Sequence, residues 1–229
     1  MVILINQYFL DTNVVIGLVY CLDIQNPKTD KLITDNSKLY YSYHVKKEIK
    51  DVFPRKSNEY KRFFALIYSF LRKKRDDSFV SLSSIILFID KLPDIGKLKC
   101  NAMKFAFQRI WEYFGFGENQ EVSVIKFQFR KFYYSFDMYS SDLLDDFYSN
   151  ATYSSGFKNK DSSVLNRILN KNLRVFFHDE DESILFDLHE YHKNHQDLDL
   201  TFVSCDEDFI KAVKELIDLL SFNNYIHLK

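Results

Sequence analysis

The chain has 229 residues, of which 46% are hydrophobic and 17% aromatic, with only five glycines and three prolines. This composition excludes a disordered, low-complexity or collagen-like chain and is enough for a substantial core. The net charge of −1 points to no partner by itself, but residues 55–140 carry 16 Lys and Arg against 9 Asp and Glu, whereas residues 179–218 carry 13 acids and three lysines.

VILINQYFL is β-branched and aromatic and predicts a first strand. Thr12 and Asn13 are N-cap residues for a helix through VVIGLVYCL. DIQNPKTDKLITDNSK is polar and predicts a loop, LYYSYHV a second strand, and VKKEIKDVF a short helix. From Arg55 to Lys171 the apolar residues fall at three-to-four spacing, so EYKRFFALIYSFLRKK, SLSSIILFIDKL, KLKCNAMKFAFQRIWEYF, EVSVIKFQFRKFYYSF and SVLNRILNKNL predict helices. QEVSVIKFQFRKFYY also alternates like a strand and stays ambiguous. Residues 55–171 therefore read as a helical insertion or lobe within a single domain spanning 1–229. After it the alternation resumes: LRVFF a short strand, DEDESILFDLHEYHKNH a helix opening on acids, LTFVS a strand, DEDFIKAVKELIDLL a helix, NNYIHL an edge strand. Strands alternating with helices predict an α/β fold in three layers, α/β/α, around a central parallel sheet.

On that sketch the acids converge. Asp11 ends the first strand and Asp206 follows LTFVSC, with Asp208 two residues on. Glu48 lies in the helix after the second strand, four residues past His44. Asp179 and Asp181 open the helix after LRVFF. In parallel sheets the ligand site lies beyond the carboxyl ends of the strands. Carboxylates gathered there repel and raise one another's pKa unless a cation neutralises them. An all-oxygen set suits Mg²⁺ or Mn²⁺, and such ions activate water against phosphodiesters. The basic middle segment would then hold a nucleic-acid backbone, with ordinary solvated helix faces as the competing reading of the charge pattern. Asp11 and Asp208 could instead cap helices, Glu48 could pair with a lysine on its own helix, and the 179–182 acids could simply favour a helix start.

FLDTN, VKKEI, HDEDESI and FVSCDEDF, in that order, resemble the PIN-domain nucleases across roughly residues 1–53 and 174–229. The resemblance implies metal-dependent endoribonuclease activity with Mg²⁺ or Mn²⁺, and Asp11, Glu48, Asp181 and Asp206 as catalytic metal ligands. Asn13 would support Asp11 by hydrogen bonding, Asp179 could substitute for Asp181, Ser204 stands where the family often has Thr, and Asp208 is the acid that commonly follows. RNA is the implied substrate, and toxin-type members add a protein inhibitor or antitoxin as partner. Two alternatives share the scaffold: a non-catalytic PIN-like RNA-binding or assembly module, and a structure-specific DNA nuclease. Whether the chain forms homo-oligomers stays open.

Other signals weigh less. In KFQFRKFYY, Lys126, Arg130 and Lys131 could meet phosphates while the aromatic rings stack bases, against a default of core packing. RKKR (72–75) reads as a solvated helix end. His189, His192 and His195 share a helical face without an HExxH pattern, and read as a solvent-facing stripe. Cys21, Cys100 and Cys205 are odd in number, widely spaced and without zinc spacing, which predicts a reducing cytoplasm. No signal peptide or membrane-spanning stretch is read in the sequence.

Overall fold

A computed structural model describes residues 6–20, 22–32, 37–92, 97–156, 160–176 and 178–228. Residues 2–5 of the first predicted strand, Cys21 and Phe177 lie outside them.

β1 (Asn6–Leu10) runs into α1 (Thr12–Val19), whose first N–H is capped by Asp11. The predicted loop instead contains α2 (Asn26–Leu32), with Pro27 tolerated in the first turn because its missing N–H has no partner there in any helix. α2 is fixed by packing: a Cβ on Gly17 would lie 2.9 Å from Thr29 Cγ2, and Asn26 Nδ2 donates to the Gly17 carbonyl at 2.9 Å. β2 (Ser37–Ser42) ends three residues earlier than LYYSYHV suggests, because the Ser42 hydroxyl accepts from Val45 N–H and starts α3 (Tyr43–Arg72).

The short helix and the first lobe helix are thus one element that passes through Pro54. Its two halves face different cores. Val45 and Ile49 pack against the sheet, whereas Tyr60, Phe64, Ile67 and Leu71 enter a second cluster. β3 (Phe79–Ser81) leads into α4 (Leu82–Asp90), then α5 (Lys97–Tyr113) and β4 (Asn119–Glu121), which pairs antiparallel with β3. The ambiguous segment resolves as α6 (Val122–Asn150), where Val122, Ile125, Phe129 and Phe136 are buried at helical spacing.

β5 (Thr152–Ser154) was not legible as a strand, yet it pairs in parallel with β2. α7 (Ser162–Asn170) follows, capped by Asp161. LRVFF is not a strand: Leu173–Val175 form a 3₁₀ turn entered through Asn172 at φ 51°, and β5 is the edge strand beside β2. α8 (Asp179–Asn194), β6 (Leu200–Ser204), α9 (Glu207–Leu216) and β7 (Asn224–His227) complete the chain, α9 ending earlier than its apolar sequence.

Five parallel strands form one sheet in the order β5-β2-β1-β6-β7, flanked by helices. The central β1 buries Phe9 and Leu10 completely, with Phe9 in register with Tyr40 on one side and Phe202 on the other. The range 55–171 divides between two cores. Its lobe cluster includes Phe64, Phe107, Trp111 and Phe136, but Phe147, Val164 and Ile168 join the sheet core. Ile16 and Tyr20 at the end of α1 pack into the lobe cluster and tie the two together. Among the described residues no helix is long and apolar enough to cross a membrane.

Candidate active site

The strand order reverses between β1 and β6: the chain leaves β1 toward β2 on one side, while β6 and β7 occupy the other. Open parallel sheets bind ligands in the crevice beyond the carboxyl ends at such a point. Asp11 is the first residue after β1, and its N–H continues the ladder to the Val203 carbonyl at 3.0 Å. Ser204 ends β6, and Asp206 caps α9 by accepting from Asp208 and Phe209 N–H at 2.8 and 3.1 Å.

Two hydroxyls knit the acids together. The Ser204 hydroxyl donates to Asp11 Oδ2 at 2.7 Å and accepts from Asp206 N–H at 2.9 Å. Thr12 N–H donates to Asp11 Oδ1 at 2.6 Å, and its hydroxyl donates to Glu48 Oε2 at 2.6 Å. Asp181 accepts from His178 N–H at 2.9 Å at the start of α8. β1, α3, α8 and the β6–α9 turn carry Asp11, Glu48, Asp181 and Asp206 near enough for their charges to act on one another: Asp181 on Asp11 and Glu48, and Asp206 on Asp181.

Burial pushes the Asp11 carboxyl up to about 7; the Ser204 hydroxyl opposes this, while Asp181 and Glu48 add like charge. Burial likewise raises Glu48 against the Thr12 hydroxyl, with Asp181 and Glu180 adding to it. Asp181 is raised by burial, held back by the His178 N–H, and raised further by Asp206. A cation would relieve all three at once. Burial, then the nearby Asp11 charge, pushes the Cys205 thiol up to about 12, so it is not a thiolate nucleophile at neutral pH.

The donor chemistry fits a hard divalent ion. The spacing adds a condition: among the described residues, three candidate ligands come within 4.8 Å of one another at Asp161, His189 and Glu190, and not at the four acids. Asp11, Glu48, Asp181 and Asp206 would be the residues to hold such an ion, which would neutralise their charge. The Asp161 trio is a poorer metal site. Lys193 Nζ already lies 3.2 and 3.4 Å from Asp161 and Glu190. His189 Nδ1 accepts from Ser221 N–H at 3.0 Å, so Nε2 carries the ring proton and has no lone pair for a metal.

Other predicted residues land as follows. Asn13 is exposed and lines a cleft of about 380 Å³ with Asp23, Lys56, Cys205 and Asp206. The bonds to Asp11 come from Thr12 and Ser204, because α1 begins at Thr12 and aims that N–H, not the Asn13 side chain, at the carboxylate. Asp179 and Asp208 are exposed, and Asp208 pairs with Lys211 at 2.9 Å. Lys126 is engaged by Asp76 at 2.6 Å, while Arg130 and Lys131 are exposed. The late histidines are not a solvent-facing stripe. His189 is 3% exposed, His192 Nε2 lies 3.0 Å from the Leu198 carbonyl, and His195 stacks on Tyr191.

Three features take roles the sequence did not give them. Thr12, read as an N-cap residue, instead bridges two acids while Asp11 takes the cap. Lys56 reaches the cleft, held by Asp23 at 3.0 Å. His44 Nδ1 lies 2.7 Å from the buried Asp187, one helical turn before Glu48.

No family model matches the chain, and no curated protein or solved structure matches it. Fold and site together define an α/β protein with a cluster of acids at the strand-order reversal of its parallel sheet.

Ser204 supplies the largest influence lowering the Asp11 pKa, which makes its removal diagnostic. An acid raised on folding contributes stability at low pH that is lost as pH rises through its folded value. Ser204→Ala should therefore steepen the fall in thermal midpoint between pH 5.5 and 8 in EDTA. Differential scanning fluorimetry measures this, and profiles parallel to wild type would reject the bond's electrostatic role.

Proposed function

We propose that this chain is a PIN-like ribonuclease of three-layer α/β/α form that hydrolyses RNA phosphodiesters with Mg²⁺ or Mn²⁺. The observation that carries the reading is the shared Ser204 hydroxyl, which joins the acids following two adjacent strands at the point where the strand order reverses. A bound divalent ion supplies an activated water and neutralises charge developing on the phosphoryl oxygens. Asp11, Glu48, Asp181 and Asp206 would hold that ion. Ser204 and Thr12 fix the carboxylates against rotation, so little reorganisation remains when the substrate arrives. Lys56, held by Asp23, lines the same cleft as Asp206 and would meet a phosphate there.

The test is cleavage of a single-stranded RNA by the purified chain with Mn²⁺ and with EDTA. The expected result is cutting in Mn²⁺ alone, abolished by Asp206→Asn; intact RNA in Mn²⁺ overturns the reading. A flap DNA run in parallel assigns the substrate class. A second reading, a non-catalytic RNA-binding module, is favoured by the hydrogen bonds already taken by both Asp11 oxygens. Calorimetry separates the two, because a module without catalysis shows no Mn²⁺ binding that depends on Asp11 and Asp206.

A further inference from the structure

Two motifs that the acidic site leaves unused, RKKR and KFQFRKFYY, meet in space. Arg72 belongs to the first, and Phe129, Arg130, Tyr133 and Tyr134 to the second. Together with Tyr68 they line a groove of about 540 Å³ between α3 and α6. Helical spacing explains the meeting. Phe64, Tyr68 and Arg72 recur at i, i+4 and i+8 on α3, while Phe129 and Tyr133 recur at i and i+4 on α6. The phenylalanines are buried and form the floor, whereas Tyr133 is 37% and Tyr134 72% exposed.

The lining contains no acid. The Arg130 guanidinium sits 6.0 Å over the Tyr134 ring, and among the described residues neither Arg72 nor Arg130 makes an ion pair. Their neighbours behave differently: Arg75 pairs with Asp77 at 2.8 Å and Lys126 with Asp76 at 2.6 Å. Exposed tyrosine rings beside unneutralised guanidinium groups suit a ligand with both flat π-faces and negative charge, which describes an unpaired nucleotide strand.

We infer that the groove between α3 and α6 is a base-stacking site for single-stranded RNA, with Tyr68, Tyr133 and Tyr134 receiving bases and Arg72 and Arg130 receiving phosphates. The choice of RNA rests on the nuclease reading above. Duplexes are excluded because their bases are already stacked. The groove lies well away from the acids: twenty helical residues separate Glu48 from Tyr68, about 30 Å at 1.5 Å per residue. A stacked strand rising 3.4 Å per nucleotide needs roughly nine nucleotides to cover that span.

The test is fluorescence anisotropy with a labelled 12-nucleotide single-stranded RNA in EDTA, where cleavage plays no part. Tyr133→Ala/Tyr134→Ala should weaken binding at least tenfold with an unchanged salt slope. Arg72→Gln/Arg130→Gln should lower the slope of log affinity against log salt by about 1.4, at 0.7 per phosphate. Both pairs are surface changes, and an unchanged melting curve verifies the fold. Binding within twofold of wild type by the tyrosine variant overturns the assignment, as does equal affinity for duplex RNA or polyglutamate. Tighter binding of a single-stranded DNA 12-mer overturns the choice of RNA. Normal binding without cleavage in Mn²⁺ fails the nuclease reading alone. Cleavage in Mn²⁺ with unaltered binding by the tyrosine variant fails the groove alone.

Discussion

Asp11→Asn is expected to reduce Mn²⁺-dependent RNA cleavage more than a hundredfold while leaving the thermal midpoint unchanged or higher. On the proposed nuclease reading the activity loss follows from removing a charged ligand, since even partners outside a ligand set cost 10- to 100-fold. The stability half follows from the local geometry. Asparagine has nearly the same shape and keeps an oxygen for the Thr12 N–H that caps α1. Its amide would face the Ser204 hydroxyl, which has lone pairs to accept. What disappears is an ionisable group whose charge is opposed by burial and by Asp181 and Glu48.

The pH dependence gives the sign. Asp11 titrates near 3.8 when unfolded and about 7 when folded, so the folded chain holds an extra proton between those values. Stability from that proton is complete below 3.8 and is lost as pH rises through about 7. In EDTA the wild-type midpoint should fall between pH 5.5 and 8, and Asp11→Asn should flatten the fall. Mn²⁺ should restore the wild type at pH 8 and leave the variant unmoved. A drop of many degrees for Asp11→Asn at every pH would make Asp11 a structural cap, and cleavage at the wild-type rate would remove it from the catalytic set.

Phe136→Ala is expected to destabilise the fold by about 3–5 kcal/mol, the usual cost of deleting a buried aromatic ring. Phe136 is 1% exposed, with ring centroids of Tyr20, Tyr60, Phe64 and Phe132 between 5.3 and 6.0 Å away. At about 2–4 °C per kcal/mol for a chain of this size, the midpoint should fall by roughly 6–20 °C. The position matters because Tyr20 closes α1 and its hydroxyl donates to the Phe53 carbonyl beside Pro54. Loss of the ring thus loosens the joint between lobe and sheet, where α3 changes from one core to the other. Calorimetric melting measures the effect, and the exposed Tyr134→Ala on the same helix serves as the contrast. Equal midpoints for the two variants would show that the lobe does not support the sheet.

Much of this molecule is legible from local order along the chain. Strands such as QYFL and LTFVS carry β-branched and aromatic residues, α8 and α9 open on acids or an Asp cap, and each of these signals acts over a few residues. The four acids could therefore be assigned to strand and helix junctions before their surroundings were known. Long-range contacts decided the rest. Ser204 reaches Asp11 across 193 positions of sequence and Thr12 reaches Glu48 across 36, and no periodicity encodes either hydrogen bond. α2 forms where a polar loop is expected because Gly17 admits it against α1. α3 passes Pro54 because packing on both sides outweighs the broken backbone bond, and LRVFF folds as a 3₁₀ turn while β5 takes the sheet edge beside β2. Short-range propensity selects the elements, but burial and hydrogen bonding between distant segments choose among the arrangements it permits.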